Sequence, residues 1–134
     1  MLYKFPSAGW IKALSDLLNS SDVYQRSAKD WEGDFIFVLQ PDESFPETAY
    51  LHLQLHHGSS QGASQADPDN LPETEFIISA PYSIWRKVID GKLDPIQGMM
   101  TGQLKLEGDL MKVMRYPKAA QEMVSCCAKI PTDW

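Results

Sequence analysis

No stretch of the 134 residues approaches the roughly 20 consecutive apolar residues of a membrane-spanning helix, so the sequence offers no bilayer span. Basic charge is also in short supply. Lys and Arg number 12 against 18 Asp and Glu, giving a net charge of −6, and the 12 are scattered along the chain. Recognition of a phosphate backbone needs clustered cations, which argues against nucleic acid as a partner. The same balance leaves only transient contact with an anionic membrane, because stable attachment needs a polybasic surface or a lipid anchor.

Cysteine is scarce too. Cys126 and Cys127 are adjacent, which is no disulfide framework for a secreted domain. Neighbouring Cα atoms stand about 3.8 Å apart, below the usual disulfide range. The first residues, Met1-Leu2-Tyr3-Lys4-Phe5-Pro6, lack the apolar core of a signal peptide. The last, Pro131-Thr132-Asp133-Trp134, are not a peroxisomal Ser-Lys-Leu address. A cytoplasmic location is the expectation. The eight glycines include no strand-to-helix turn of the dinucleotide or P-loop type, so no cofactor is expected.

Catalytic constellations are equally hard to find. On a strand, His52 and His56 point to one side about 13 Å apart, too far to share a metal ion. His56 and His57, as neighbours, should face opposite sides, so a polar sheet face is expected there rather than a metal site. Cys127 falls on the apolar face of a helix, where a free cysteine behaves as a small hydrophobe. Asp22, Asp94 and Asp109 occupy positions suited to helix N-caps. No residue is singled out as catalytic.

What is present is a pattern of alternating periodicities. Trp10, Ile11, Leu14, Leu17 and Leu18 form one helical stripe behind Ser7, a fitting N-cap. A short second helix is expected from Asp22, with Asp22 and Gln25 at capping-box spacing and Tyr24, Ala28 and Trp31 on its buried side. Phe35 to Leu39 is apolar throughout, as in a central strand covered on both faces. From Thr48 to His56 the chain alternates, with Ala49, Leu51, Leu53 and Leu55 on one face, and the short connection predicts an antiparallel hairpin. Gly58 to Gln65 reads as either a polar edge strand or a mobile loop. Asp67-Pro68-Asp69-Asn70 is a turn, and Glu75 to Ser79 resumes strand character.

The last third is mostly helical. Ile84, Trp85, Val88 and Ile89 make a helical face that stops at Gly91. Asp94-Pro95 opens a helix carrying Ile96, Met99 and Met100, which ends near Gly102. Gln103 to Glu107 alternates as a strand. Gly108-Asp109 leads into a helix with Leu110, Met111 and Met114, and Pro117 starts the last one. Tyr116, Ala120, Met123, Cys127 and Ile130 share a face there. Segregated helices and an antiparallel-type sheet predict an α+β fold. The length suits one domain, residues 1–134. Five of the six methionines lie in this last third. Methionine is used where an apolar surface must accept varied shapes, although periodicity does not distinguish a filled core from a cavity.

The order Phe76-Ile77-Ile78-Ser79, Tyr82 to Pro95, and Met99-Met100-Thr101-Gly102-Gln103-Leu104-Lys105-Leu106-Glu107-Gly108-Asp109 resembles the sterol carrier protein type 2 family. The shared features are a helix ending in Gly-Lys-Leu, an Asp-Pro helix start and a Gly-x-Leu-Lys-Leu-x-Gly strand. The resemblance implies a five-stranded, mainly antiparallel sheet with helices on one face, enclosing an apolar tunnel. It also implies a lipid or fatty-acyl ligand (fatty acid, acyl-CoA, sterol or similar) and no catalytic apparatus. On the same basis Trp85, Val88, Ile96, Met99, Met100, Leu104, Leu106, Met111, Met114 and Met123 are ligand-lining candidates, with Trp10 and Leu14 from the first helix. The competing readings are an interaction module that keeps the fold with a filled tunnel, and a small hydrolase using Cys127 or a histidine.

Overall fold

The computed structural model describes residues 2–134. Its elements run β1 (Tyr3–Lys4), α1 (Ala8–Asn19), α2 (Asp22–Ser27), β2 (Phe35–Gln40), β3 (Ala49–His56), β4 (Ser59–Gln65), β5 (Phe76–Pro81), α3 (Tyr82–Ile89), α4 (Pro95–Thr101), β6 (Lys105–Glu107), α5 (Leu110–Met114), α6 (Pro117–Ala128) and β7 (Thr132–Asp133). The larger sheet has the order β4-β3-β2-β5-β6. Three of its pairings are antiparallel, and β2 and β5 pair in parallel at the centre. β1 and β7 form a separate parallel pair that joins the two ends of the chain.

Register explains the burial. Phe35, Phe37 and Leu39 lie level with Leu53, Leu51 and Ala49 on one side and with Phe76, Ile78 and Ala80 on the other. These residues share the face over which the helices pack, and most are buried. Ile36 and Val38 point the other way, between His52 and Ile77 and between Tyr50 and Ser79, and are buried as well. The continuous apolar run of β2 thus belongs to a central strand.

Helix boundaries follow local chemistry. Ser7 has extended backbone, and its Oγ accepts the Trp10 N–H at 3.1 Å, so α1 begins one residue later with its apolar stripe turned inward. Asp94 caps α4 by accepting from Ile96 and Gln97, with Pro95 at the first helical position. Asp109 caps α5. The cap of α2 is Ser21, not Asp22: Ser21 is extended and accepts the Tyr24 N–H at 3.0 Å, while Asp22 is already helical. The Ser21 hydroxyl also donates to Glu122, which ties α2 to α6.

The polar segment after β3 is an edge strand. It pairs antiparallel with β3, and α1 meets the remaining needs of Ser60: Asn19 donates to the Ser60 carbonyl at 2.9 Å and accepts the Ser60 N–H at 2.7 Å, while Ser15 donates to Ser60 Oγ at 2.6 Å in a buried contact. The turn joining β3 to β4 is His57-Gly58, with φ of 49° and 81°. Positive φ at both central residues matches the right-handed twist of a hairpin. Only glycine fits at position 58, because a Cβ there would sit 2.4 Å from the Gln25 carbonyl oxygen. The same turn corrects the expected placement of the histidines. At positive φ, His57 leaves the strand alternation, and its ring stacks on His56 with centroids 3.9 Å apart instead of facing the opposite side.

Candidate functional site

Between the helices and the inner face of the sheet lies an apolar cavity of about 130 Å³. Phe35, Phe37, Leu39, Leu51, Leu55 and Ile78 come from the strands, and α1, α2, α3 and α6 supply most of the opposite wall. Among the described residues, no charged side chain lines it. Three tryptophans do, and each indole N–H is already engaged. Trp10 donates to Thr132 Oγ1 at 3.1 Å, Trp31 to the Gly33 carbonyl at 2.8 Å and Trp85 to the Val38 carbonyl at 2.9 Å. Their polar atoms are therefore spent on the fold, and the lining they contribute is apolar.

The sequence candidates divide. Trp10, Leu14, Trp85, Val88, Met99, Leu104 and Met123 line the cavity together. Ile96, Met100, Leu106, Met111 and Met114 do not. Met100 and Met111 are 57% and 64% exposed, and Met114 is also exposed. α4 and α5 are short, with Gly98 and Val113 respectively as their buried residues, so the adjacent methionines fall on the outer side. Leu106 is half-buried on β6, an edge strand. Sequence reasoning missed the contribution of Trp31, Phe35 and Phe37, which form an aromatic ladder with ring centroids 5.7 and 5.5 Å apart. The strand alternation placing Phe35 and Phe37 on one face was the available signal. Nothing local told which face was inward.

Three titratable groups in or beside the cavity wall, Cys127, Cys126 and Tyr24, are shifted upward. Burial pushes the Cys127 thiol up to about 12, assisted by the neighbouring Cys126. Burial raises Cys126 as well, with help from the Glu122 carboxylate 3.8 Å from its sulfur. Tyr24 is raised by burial and by Cys126. His52 shares a sheet face with Ile36, opposite the cavity. So raised, Cys127 is a neutral thiol at neutral pH and not an activated thiolate.

No helix of the described residues is long and apolar enough to cross a membrane. A family model described as the SCP-2 sterol transfer family matches residues 11–121. The crystal structure of a sterol carrier protein 2 is 31% identical, with a TM-score of 0.82, covering 92% of this chain and 97% of that one. A conserved hypothetical protein from Thermus thermophilus, described as possibly a sterol carrier protein, is also 31% identical at a TM-score of 0.82, with 93% and 88% covered. Hydroxysteroid dehydrogenase-like protein 2 of Xenopus tropicalis is 27% identical over 112 residues. That match takes in 84% of this chain but 24% of the relative, so the chain spans about a quarter of the curated protein it resembles.

Proposed function

The chain belongs to the SCP-2 sterol transfer family, and from that premise we propose that it binds and carries a lipid-like ligand (fatty acid, acyl-CoA, sterol or similar) without catalysing a reaction. The observation that carries the proposal is the uncharged cavity of about 130 Å³, whose tryptophan N–H groups are already satisfied. Such a lining rewards apolar surface and offers little to a polar headgroup, so the hydrocarbon part of the ligand is held inside and its polar end stays towards solvent. Trp10, Leu14, Trp85, Val88, Met99, Leu104 and Met123 are the proposed contacts. Burying a methylene contributes about 0.8 kcal/mol, so ten chain carbons contribute about 8 kcal/mol before entropic costs, enough for micromolar binding. One methylene discriminates weakly, so the site accepts several chain lengths.

The raised Cys127 thiol and a cavity lining without histidine support the non-catalytic reading. Residues 1–134 act as one carrier unit in this reading, whatever reaction the longer dehydrogenase-like relatives perform with the rest of their chains.

A second reading has a specific observation in its favour. An apolar cavity of about 150 Å³ holds benzene, so the void of about 130 Å³ must widen before a long chain enters. A member that had filled its tunnel and served as an interaction module would look similar. Native mass spectrometry of the purified protein, followed by organic extraction, separates the two. A co-purified or readily loaded lipid supports the carrier. Protein that stays empty after incubation with fatty acids, acyl-CoA and sterols supports the filled module and refutes the carrier.

A further inference from the structure

We propose that Glu32, His56 and His57 form a surface site for a divalent first-row transition ion of the zinc or copper type, separate from the apolar cavity. One potential ligand atom from each residue lies within 4.8 Å of the others. Glu32 Oε1 and His57 Nε2 are 2.7 Å apart. The two imidazoles stack with centroids 3.9 Å apart and 13° between planes, so the exposed His57 ring must turn out of the stack for both lone pairs to meet one ion. Two donors held on one ion at about 2.1 Å and a tetrahedral angle stand about 3.4 Å apart. The present spacings bracket that value, and the side chains of His57 and Glu32, 53% and 62% exposed, are free to turn into it.

The backbone beneath these side chains is fixed. Glu32 and His56 are paired across an isolated β-bridge. The His57 N–H donates to the Trp31 carbonyl at 2.7 Å, and Gly58 packs against the α2 backbone. Lys112 donates to the Glu32 carbonyl at 2.6 Å, but its ammonium is matched by Glu75 at 2.6 Å and does not leave an unpaired cation beside the site. Two imidazoles and one carboxylate make a borderline donor set suited to Zn²⁺, Cu²⁺ or Ni²⁺, whereas Ca²⁺ and Mg²⁺ demand oxygen ligands. Three protein donors leave a further position to water. The ion would join the segment entering β2 to the β3–β4 turn and so brace one end of the sheet.

Isothermal titration of tag-free protein with zinc chloride tests the site. The expected result is one ion per chain with micromolar affinity, and a Tm raised on the order of 10 °C at about a hundredfold excess over Kd. Glu32→Gln, His56→Gln and His57→Asn should each weaken binding about tenfold or more, as loss of even an outer partner does at many metal sites. Asparagine is chosen at 57 because it tolerates positive φ. All three positions are exposed, and circular dichroism checks that the variants remain folded. No binding by the parent below about 1 mM, or unchanged binding in the three variants, overturns the proposal.

Discussion

Cys127 is a neutral thiol in the cavity wall, and its neutrality makes stability depend on pH. Its folded value is raised from 9.0 to about 12, so the unfolded chain loses the proton first. The stabilisation is therefore fully present below about pH 9 and is lost as pH rises towards 12. At pH 10 the loss amounts to about 1 kcal/mol, and Cys126, Tyr24 and Tyr82, all shifted upward, add to it in the same direction. Urea denaturation at pH 7 and pH 10 should show this fall, and Cys127→Ala should make it shallower. An unchanged slope in that variant would place the alkaline sensitivity elsewhere. The character of this residue was legible in the sequence, since its position on the helix face marked it as a small hydrophobe. The placement of His57 was not, because strand alternation alone sets it opposite His56, although Gly58 beside it signals a turn.

Caps and strand periodicities were the most legible features at the scale of elements. Ser7, Asp94 and Asp109 act within three residues of themselves, so their roles are written locally. β4 was legible only as one of two alternatives, an edge strand or a loop, because the Asn19 contacts that hold Ser60 come from α1, 41 positions earlier in the chain. Asn19→Ala should therefore cost about 2 kcal/mol, since it leaves two groups of Ser60 without their partner. Hydrogen exchange should speed up in β4 while β2 stays protected. The β3–β4 turn gives a matched pair of substitutions. Gly58 and Gly91 both have positive φ, but a Cβ at 91 meets nothing within 4 Å while one at 58 collides with Gln25. Gly91→Ala should cost about 1 kcal/mol from backbone strain alone. Gly58→Ala should cost clearly more, and equal losses in thermal denaturation would contradict the close packing of α2 on the turn.

For the whole molecule, the fold was readable because helical and strand periods alternate in an order that specifies a layered α+β domain. The cavity was only half readable. Periodicity marked Trp10, Leu14, Trp85 and Met123 as apolar-face residues, yet Met100 and Met111 carry the same side-chain chemistry as Met123 and lie outside. What separates them is the mutual placement of short helices, which no local window contains. The aromatic floor from β2 depends in the same way on which sheet face the helices cover. The central claim is that the cavity admits apolar ligands, and a filling substitution tests it most directly. Ala120 lines the cavity from α6, and Ala120→Trp would occupy the space a ligand needs. Delipidated parent, Ala120→Trp and Met111→Ala should be titrated with a long-chain fatty acid while Tm is followed. The account predicts a rise of several degrees in the parent and in Met111→Ala, and none in a folded Ala120→Trp protein. A parent whose Tm does not move, or an Ala120→Trp variant that responds as the parent does, would contradict it.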